Sequence, residues 1–367
     1  MKKLRLTLSE DGKISLMKYG LSLIATLAVG AVMILLQGEN PATAFVEIFR
    51  GAFGSKAAIG NTLHWAVPCM LVGSAALVAF KSGVMNLGLE GQLYLGGFVA
   101  GCAGYMVSLP PVLHPLFCLL AGGLAGMLWA MLPAFLKLLF KVDEVITTLL
   151  LNYVAIFFTE LLTLLVISGA KALGTNSIMT PLIHDSAKLT PLISGTSATT
   201  GIFVAVAVVL CVYLLYKYTL TGYELKQVGE NLKFARVGGV NANKMFIIIF
   251  LVSGFIAGLC GSAETIGVNN RFISRFSSNL GWDGVMITRV ASNSPLGVLV
   301  VSLIWAAFKA GALHMERTTT LNRYIINLLQ ALFVLFISID YGMLYRKYLS
   351  WRARKKMVEE EARKSES

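Results

Sequence analysis

With 367 residues, a mean hydropathy of +0.73, 56% hydrophobic and only 14% charged residues, this chain carries more apolar surface than a water-facing fold can bury. Soluble domains hold about 25% charged residues, so composition places the chain in a membrane. Its formal net charge of +12 is spread over short segments between apolar runs. That pattern argues against a nucleic-acid partner and for anionic lipid headgroups.

Crossing about 30 Å of hydrocarbon takes roughly 20 apolar residues. Such runs fall at 19–37, 61–80, 88–108, 113–136, 145–168, 200–216, 245–267, 284–294, 296–313 and 322–340, which makes ten crossings if the short eighth run counts. Tyr19 to Leu36 is too long for a signal-peptide core, and no clean small-residue cleavage site follows it. With the amino terminus inside, the cytoplasmic segments hold most of the Lys and Arg, among them Lys2, Lys3, Lys13, Lys81, Lys137, Lys217, Lys244 and the basic tail from Arg346 to Lys364. The positive-inside rule then puts both termini in the cytoplasm. The chain divides into a cytoplasmic segment 1–18, a transmembrane domain 19–340 and a cytoplasmic tail 341–367. Pro41 to Lys56 contains an amphipathic stretch expected along the outer interface, and the Ser- and Thr-rich loop Gly169 to Thr199 is expected outside.

One short pattern occurs twice. Asn86-Leu87-Gly88-Leu89-Glu90-Gly91-Gln92 follows Gly73-Ser74-Ala75, and Asn279-Leu280-Gly281-Trp282-Asp283-Gly284 follows Gly261-Ser262-Ala263. A polar double-glycine break in apolar sequence is tolerated in lipid only where protein or a water-filled cavity satisfies the freed backbone groups. Paired breaks in two halves are the mark of a transporter built from repeats. Five spans per half is an odd number, so the halves, about 19–168 and 200–340, must be inverted. The fold expected is all-α and polytopic, with about ten transmembrane helices in two inverted five-helix repeats with broken helices. The alternative is a chance match between two glycine-rich segments.

Ionisable groups inside spans are expensive and therefore functional suspects. Glu90, Glu160, Glu264 and Lys309 qualify, and Asn152, Thr159 and Glu160 share one face of the fifth span. Such a face suits a hydroxyl-rich ligand, although helix-to-helix hydrogen bonding accounts for each residue equally well. Among the aromatic residues, most of which lie at span ends as an interfacial belt, Trp282 sits inside the second break. The substrate-pathway candidates are Asn86, Glu90, Gln92, Asn152, Glu160, Asn279, Trp282 and Asp283.

The polar segment 217–244 joins the halves on the cytoplasmic side. A short helix is expected from Asn231, with Leu232, Ala235 and Val237 turned inward and Gly238-Gly239 ending it. It offers a knob for a cytosolic partner, or else is an ordinary solvated loop. Cys69, Cys102, Cys118, Cys211 and Cys260 are dispersed through spans without metal or disulfide spacing and read as small core residues. His64, His114, His184 and His314 are scattered, and no Ser/His/Asp or metal constellation supports an enzyme.

Gly83 to Gln92, Asp143 to Tyr153, Val228 to Asn241 and Ser294-Pro295-Leu296-Gly297 together carry a resemblance. The chain resembles the permease subunits of bacterial ABC importers in the branched-chain amino acid and monosaccharide permease superfamily, and among them the nucleoside-import branch. The resemblance spans roughly Pro68 to Leu335. It departs at Val285 to Ala291, where Arg289 stands in a helix that the family keeps small and apolar. It implies a multi-pass subunit of the bacterial cytoplasmic membrane, paired with a second permease subunit that is often a different chain. It also implies an extracytoplasmic solute-binding protein and a cytosolic ATP-binding subunit docking on Gly229, Glu230, Ala235, Gly238 and Gly239. No G-x-x-x-x-G-K-[ST] phosphate loop occurs. ATP binding by that route is therefore not expected, and the resemblance implies that ATP and magnesium belong to the partner ATPase, with no cofactor in this chain. Import of a monosaccharide is the alternative, with an ion-coupled secondary transporter behind it. The docking segment discriminates, because a secondary transporter has no ATPase to receive.

Overall fold

The computed structural model describes residues 10–165 and 178–339. The expected tail 341–367, residues 1–9 of the segment 1–18 and the start of the outer loop lie outside the described residues. Each of the ten apolar runs falls on a helix. In chain order these helices and their connectors are α1 (Glu10–Leu36), α2 (Pro41–Phe53), α3 (Lys56–Lys81), α4 (Leu89–Met106), α5 (Leu113–Phe140), α6 (Glu144–Leu165), α7 (Gly201–Tyr218), α8 (Leu220–Glu230), α9 (Leu232–Val237), α10 (Ala242–Glu264), α11 (Leu280–Val290), α12 (Pro295–Thr318) and α13 (Tyr324–Ile337). Among the described residues the β-structure is confined to isolated bridges, Met179 with Ile273 and Pro191 with Thr199.

Seven helices are long and apolar enough to cross a membrane: α1 from Lys18, α3, α5, α6, α7, α10 continued to Asn269, and α12. The other three differ for physical reasons. α4 is rich in glycine and carries Glu90 and Gln92, α11 has 11 residues, and α13 has 14. Helix starts follow capping chemistry. Ser55 accepts Ala58 N–H, Asp143 accepts Val145 and Ile146 N–H, Asn231 accepts Phe234 N–H, and Asn241 accepts Lys244 N–H. Pro295 opens α12, so Ser294-Pro295-Leu296-Gly297 is a helix start, with the Ser294 hydroxyl facing Gly297 N–H.

The chain forms two compact units, one of residues up to Ala44 with those from Thr319 on, the other Phe45–Thr318. In the first, α1 packs on α13, close enough that a Cβ at Gly30 would strike the Leu329 side chain. The Glu39 carboxylate there accepts the backbone N–H and hydroxyl of Thr320 at 3.0 and 2.7 Å.

In the second unit α3 and α10 are the most buried spans. α10 packs against α4 and α5, and α3 against α10, α11 and α12. Small residues set the approach, as expected where lipid gives no hydrophobic drive between helices. A Cβ on Gly96 of α4 would lie 2.5 Å from Gly258 Cα, and one on Gly126 of α5 would lie 2.5 Å from Gly254 O. Cys69, Cys118 and Cys260 are buried as expected, whereas Cys211 is exposed on α7. Arg289, the departure in α11, places its guanidinium over the Phe80 ring at 5.2 Å.

Candidate functional site

The first break runs from Ser82 to Gly88 and is held by side-chain amides. The Asn86 carbonyl accepts Gly88 N–H at 3.0 Å, its amide donates to Ser253 Oγ at 2.9 Å, and Asn86 and Gln92 exchange two bonds of 3.1 Å. Asn152 on α6 accepts Gly91 N–H and donates to Leu87 O, both at 2.8 Å. These bonds satisfy backbone groups that the interrupted helix leaves open, which is the condition for a break within lipid.

At the second break α10 widens into a π turn, Thr265–Asn269, a feature often found at functional sites. Asn270, Arg275, Ser278 and Asn279 then take left-handed φ values between 49° and 71°, costly for residues with a Cβ. The chain so re-aimed starts α11 against the start of α4, where Gly281 N–H donates to Glu90 Oε2 at 2.7 Å. Glu90 is thus the point at which the two breaks meet. Asp283, two residues further on, faces away toward α12. Its Oδ1 accepts Trp305 Nε1–H at 3.1 Å and its Oδ2 lies 2.5 Å from Lys309 Nζ, which stands over the Trp65 ring.

A cavity of about 370 Å³ opens at this meeting point, within the roughly 300–1,000 Å³ typical of small-molecule sites. Of the expected pathway residues, Glu90, Asn152, Asn279 and Trp282 line it. Asn86 and Gln92 are instead fully buried and bound to each other and the break, and Asp283 is turned to Lys309. Glu160 is not on the wall. It binds the Ser274 hydroxyl and lies 3.4 Å from Arg275 Nε, so it holds a residue that is on the wall. Thr159 returns its hydroxyl to Ile156 O and is buried. The remaining walls are Tyr94, Tyr153, Phe157 and Arg275, with Leu149, Ile156 and Ser278. Sequence reasoning missed Tyr94, although it lies one helical turn after Glu90, and Phe157, one turn after Tyr153. Flat aromatic faces beside a carboxylate, two amides and a guanidinium suit a planar ring bearing hydroxyl or amino groups. Among the described residues, no group of His, Cys, Asp and Glu has the spacing to hold a metal ion.

The sequence profile described as branched-chain amino acid transport system / permease component matches residues 58–337. The chain belongs to this permease family. It is 28% identical to the guanosine ABC transporter permease protein of Bacillus subtilis over 88% of this chain and 93% of that one. It is 32% identical to the glucose ABC transporter permease protein of Haloferax volcanii over 91% and 90%. A nucleoside ABC transporter permease protein of Lactococcus lactis is 26% identical over 88% and 90%. No solved structure matches. Family membership and seven apolar helices make the chain a multi-pass membrane transport component.

In this permease the polar segment between α7 and α10 is two helices, α8 and α9. Asn231 separates them and Gly239, at φ +82°, follows the second. Ala235 is buried as expected, but Leu232 and Val237 are exposed at 43% and 89%, because a six-residue helix has one inward position per turn. The segment is rooted in the core through Leu225, which packs with Val84, Met245 and Phe250. Gly229 lies against Lys81 and Ser82, where any Cβ would collide with backbone. Glu230 pairs with Lys226 at 3.6 Å, and nothing approaches within 4 Å of the position a Cβ would take on Gly239.

Proposed function

We propose that this chain is the membrane-spanning permease subunit of an ATP-driven ABC importer and that its solute is a nucleoside. The observation carrying the solute is the cavity at Glu90, whose aromatic walls fit a nucleobase and whose Asn152, Asn279 and Glu90 fit ribose hydroxyls. The guanosine and nucleoside permeases among its relatives support the same reading. Import of a monosaccharide is the second reading, favoured by 32% identity to a glucose permease.

The architecture we propose has ten crossings in two inverted repeats, 19–168 and 200–340, within a transmembrane domain 19–340. The termini 1–18 and 341–367 are cytoplasmic, in the bacterial plasma membrane. A second permease subunit completes the pathway, an extracytoplasmic binding protein delivers the solute, and a cytosolic ATP-binding subunit supplies energy at 217–244. The packing of Gly229 on Lys81 and Ser82 supports a mechanical link. A push on α8 and α9 reaches the turn that begins the first break, and through Glu90 it reaches α11. Alternating access then follows from tilting two half-helices that share one carboxylate. The pathway residues proposed are Glu90, Asn152, Asn279 and Trp282, with Asn86, Gln92, Glu160 and Asp283 as supports. Coupling falls to Gly229 and Ala235 as packed positions and to Glu230, Gly238 and Gly239 as exposed ones.

Radiolabelled guanosine and glucose uptake, compared in cells with and without this chain, tests the choice of solute. Loss of guanosine uptake alone is expected, whereas loss of glucose uptake alone would assign the monosaccharide.

A further inference from the structure

A second cavity, of about 340 Å³, lies between α2, the start of α3 and the end of α12, and the transport reading leaves it unused. Its walls carry two guanidinium groups, Arg50 and Arg317, two imidazoles, His64 and His314, and the Asn61 amide. None of the described wall residues is acidic. Glu47, beside the cavity, is shared between Arg50 at 2.8 Å and His314 at 3.1 Å, and Glu264 lies 3.4 Å from His64. Ser55 and Ala57 also line it, so the 26-residue helix α3 points its amino terminus, the positive end of its dipole, at the same space. Next to this basic hollow, α2 exposes Val46, Phe49 and Phe53. α2 combines these exposed apolar side chains with the ion-paired Glu47 and Arg50, and an amphipathic helix of this kind suits a lipid interface.

We propose that this cavity binds a phosphate-type anion, presented by the headgroup of an anionic phospholipid whose chains cross Phe49 and Phe53. A planar guanidinium is suited to phosphate oxygens, since its N–H groups match them in pairs. A cavity of about 340 Å³ gives room for a headgroup, and the exposed phenylalanines on α2 extend the site toward hydrocarbon.

The test uses the purified full-length chain in nanodiscs of phosphatidylglycerol or phosphatidylcholine, with retained lipid counted by native mass spectrometry. In detergent, titration with inorganic phosphate forms the second arm. Phosphatidylglycerol should be retained over phosphatidylcholine, and Arg50→Gln with Arg317→Gln should weaken retention about 30-fold, two basic residues near an anionic surface each contributing close to a factor of five. Lys188→Gln, a charge removed outside both the cavity walls and α3, should leave retention unchanged, which separates site loss from general charge loss. Phe49→Ser with Phe53→Ser should lower lipid retention without altering phosphate affinity. If inorganic phosphate binds and depends on both arginines while lipid is not retained, the lipid source is overturned and the free ion takes its place. The proposal is overturned entirely if neither ligand binds, or if binding survives the double arginine substitution in a chain that unfolds at its normal temperature. A double variant that loses only capture of an acidic protein would equally overturn it and make the cavity a protein-docking surface.

Discussion

Replacing Gly281 with alanine probes the contact on which the proposed mechanism turns. The added Cβ would lie 2.6 Å from Glu90 N, 2.8 Å from Glu90 Oε2 and 3.0 Å from Glu90 Cα. Two of these three atoms are backbone, so no rotamer change relieves the clash and the start of α11 must move off the start of α4. Overpacking of this kind costs about 1–3 kcal/mol. The movement also strains the 2.7 Å bond from Gly281 N–H to the carboxylate, and a bond to a charged group contributes about 1.5–3 kcal/mol. A loss of about 2–4 kcal/mol in the aligned arrangement lowers its weight by roughly 30- to 1,000-fold, taking about 1.4 kcal/mol per factor of ten. The assay is ATP-driven solute uptake in proteoliposomes, normalised to inserted subunit. Gly20→Ala, where an added Cβ meets nothing within 4 Å, serves as the control and should transport normally. Wild-type uptake by inserted Gly281→Ala would refute the claim that the half-helices act through this contact.

Asn152→Ala should destabilise the permease by about 1–3 kcal/mol, because two buried backbone groups lose partners and intramembrane bonds are worth about 0.6–1.7 kcal/mol each. Thermal unfolding in detergent measures this, and Asn152→Asp, which still accepts Gly91 N–H, should lose less. Gly229→Val should leave ATP hydrolysis by the assembled importer intact while uptake falls, since the side chain would lever α8 away from Lys81 and Ser82. Uptake unchanged in that variant would show that force does not pass there. With the native cysteines replaced, a maleimide should label Asp185→Cys from outside and Asn231→Cys from inside. Labelling of both from one side would contradict the inverted topology.

The helices were legible because apolar runs and caps are local signals: Asn231, expected to open a short helix, caps α9 with its own side chain. The two breaks were legible for a similar reason, since Asn and paired Gly recurring in apolar sequence mark a chain that leaves the helix inside lipid. What each break residue does was not. Asn86 and Asn152 are the same residue type in similar settings, yet one is sealed between Gln92 and Ser253 while the other binds backbone and also faces the cavity. Asp283 resembles Glu90 in lying within the first turn of its half-helix, but Lys309 on α12 draws it aside, and nothing local in the sequence signals that partner. Tyr94 and Phe157 went unnoticed because periodicity shows that an aromatic face exists without showing whether lipid or a cavity opposes it. Leu232 and Val237 failed for another reason, as α9 is too short to present three inward positions.

The most direct measurement joins this chain with the proposed second permease subunit, ATP-binding subunit and solute-binding protein in proteoliposomes and follows radiolabelled guanosine. Uptake should require ATP on the side of the α8–α9 segment, saturate, and be competed by unlabelled nucleosides but not by glucose. Accumulation that proceeds without ATP, driven by an ion gradient, would contradict the account.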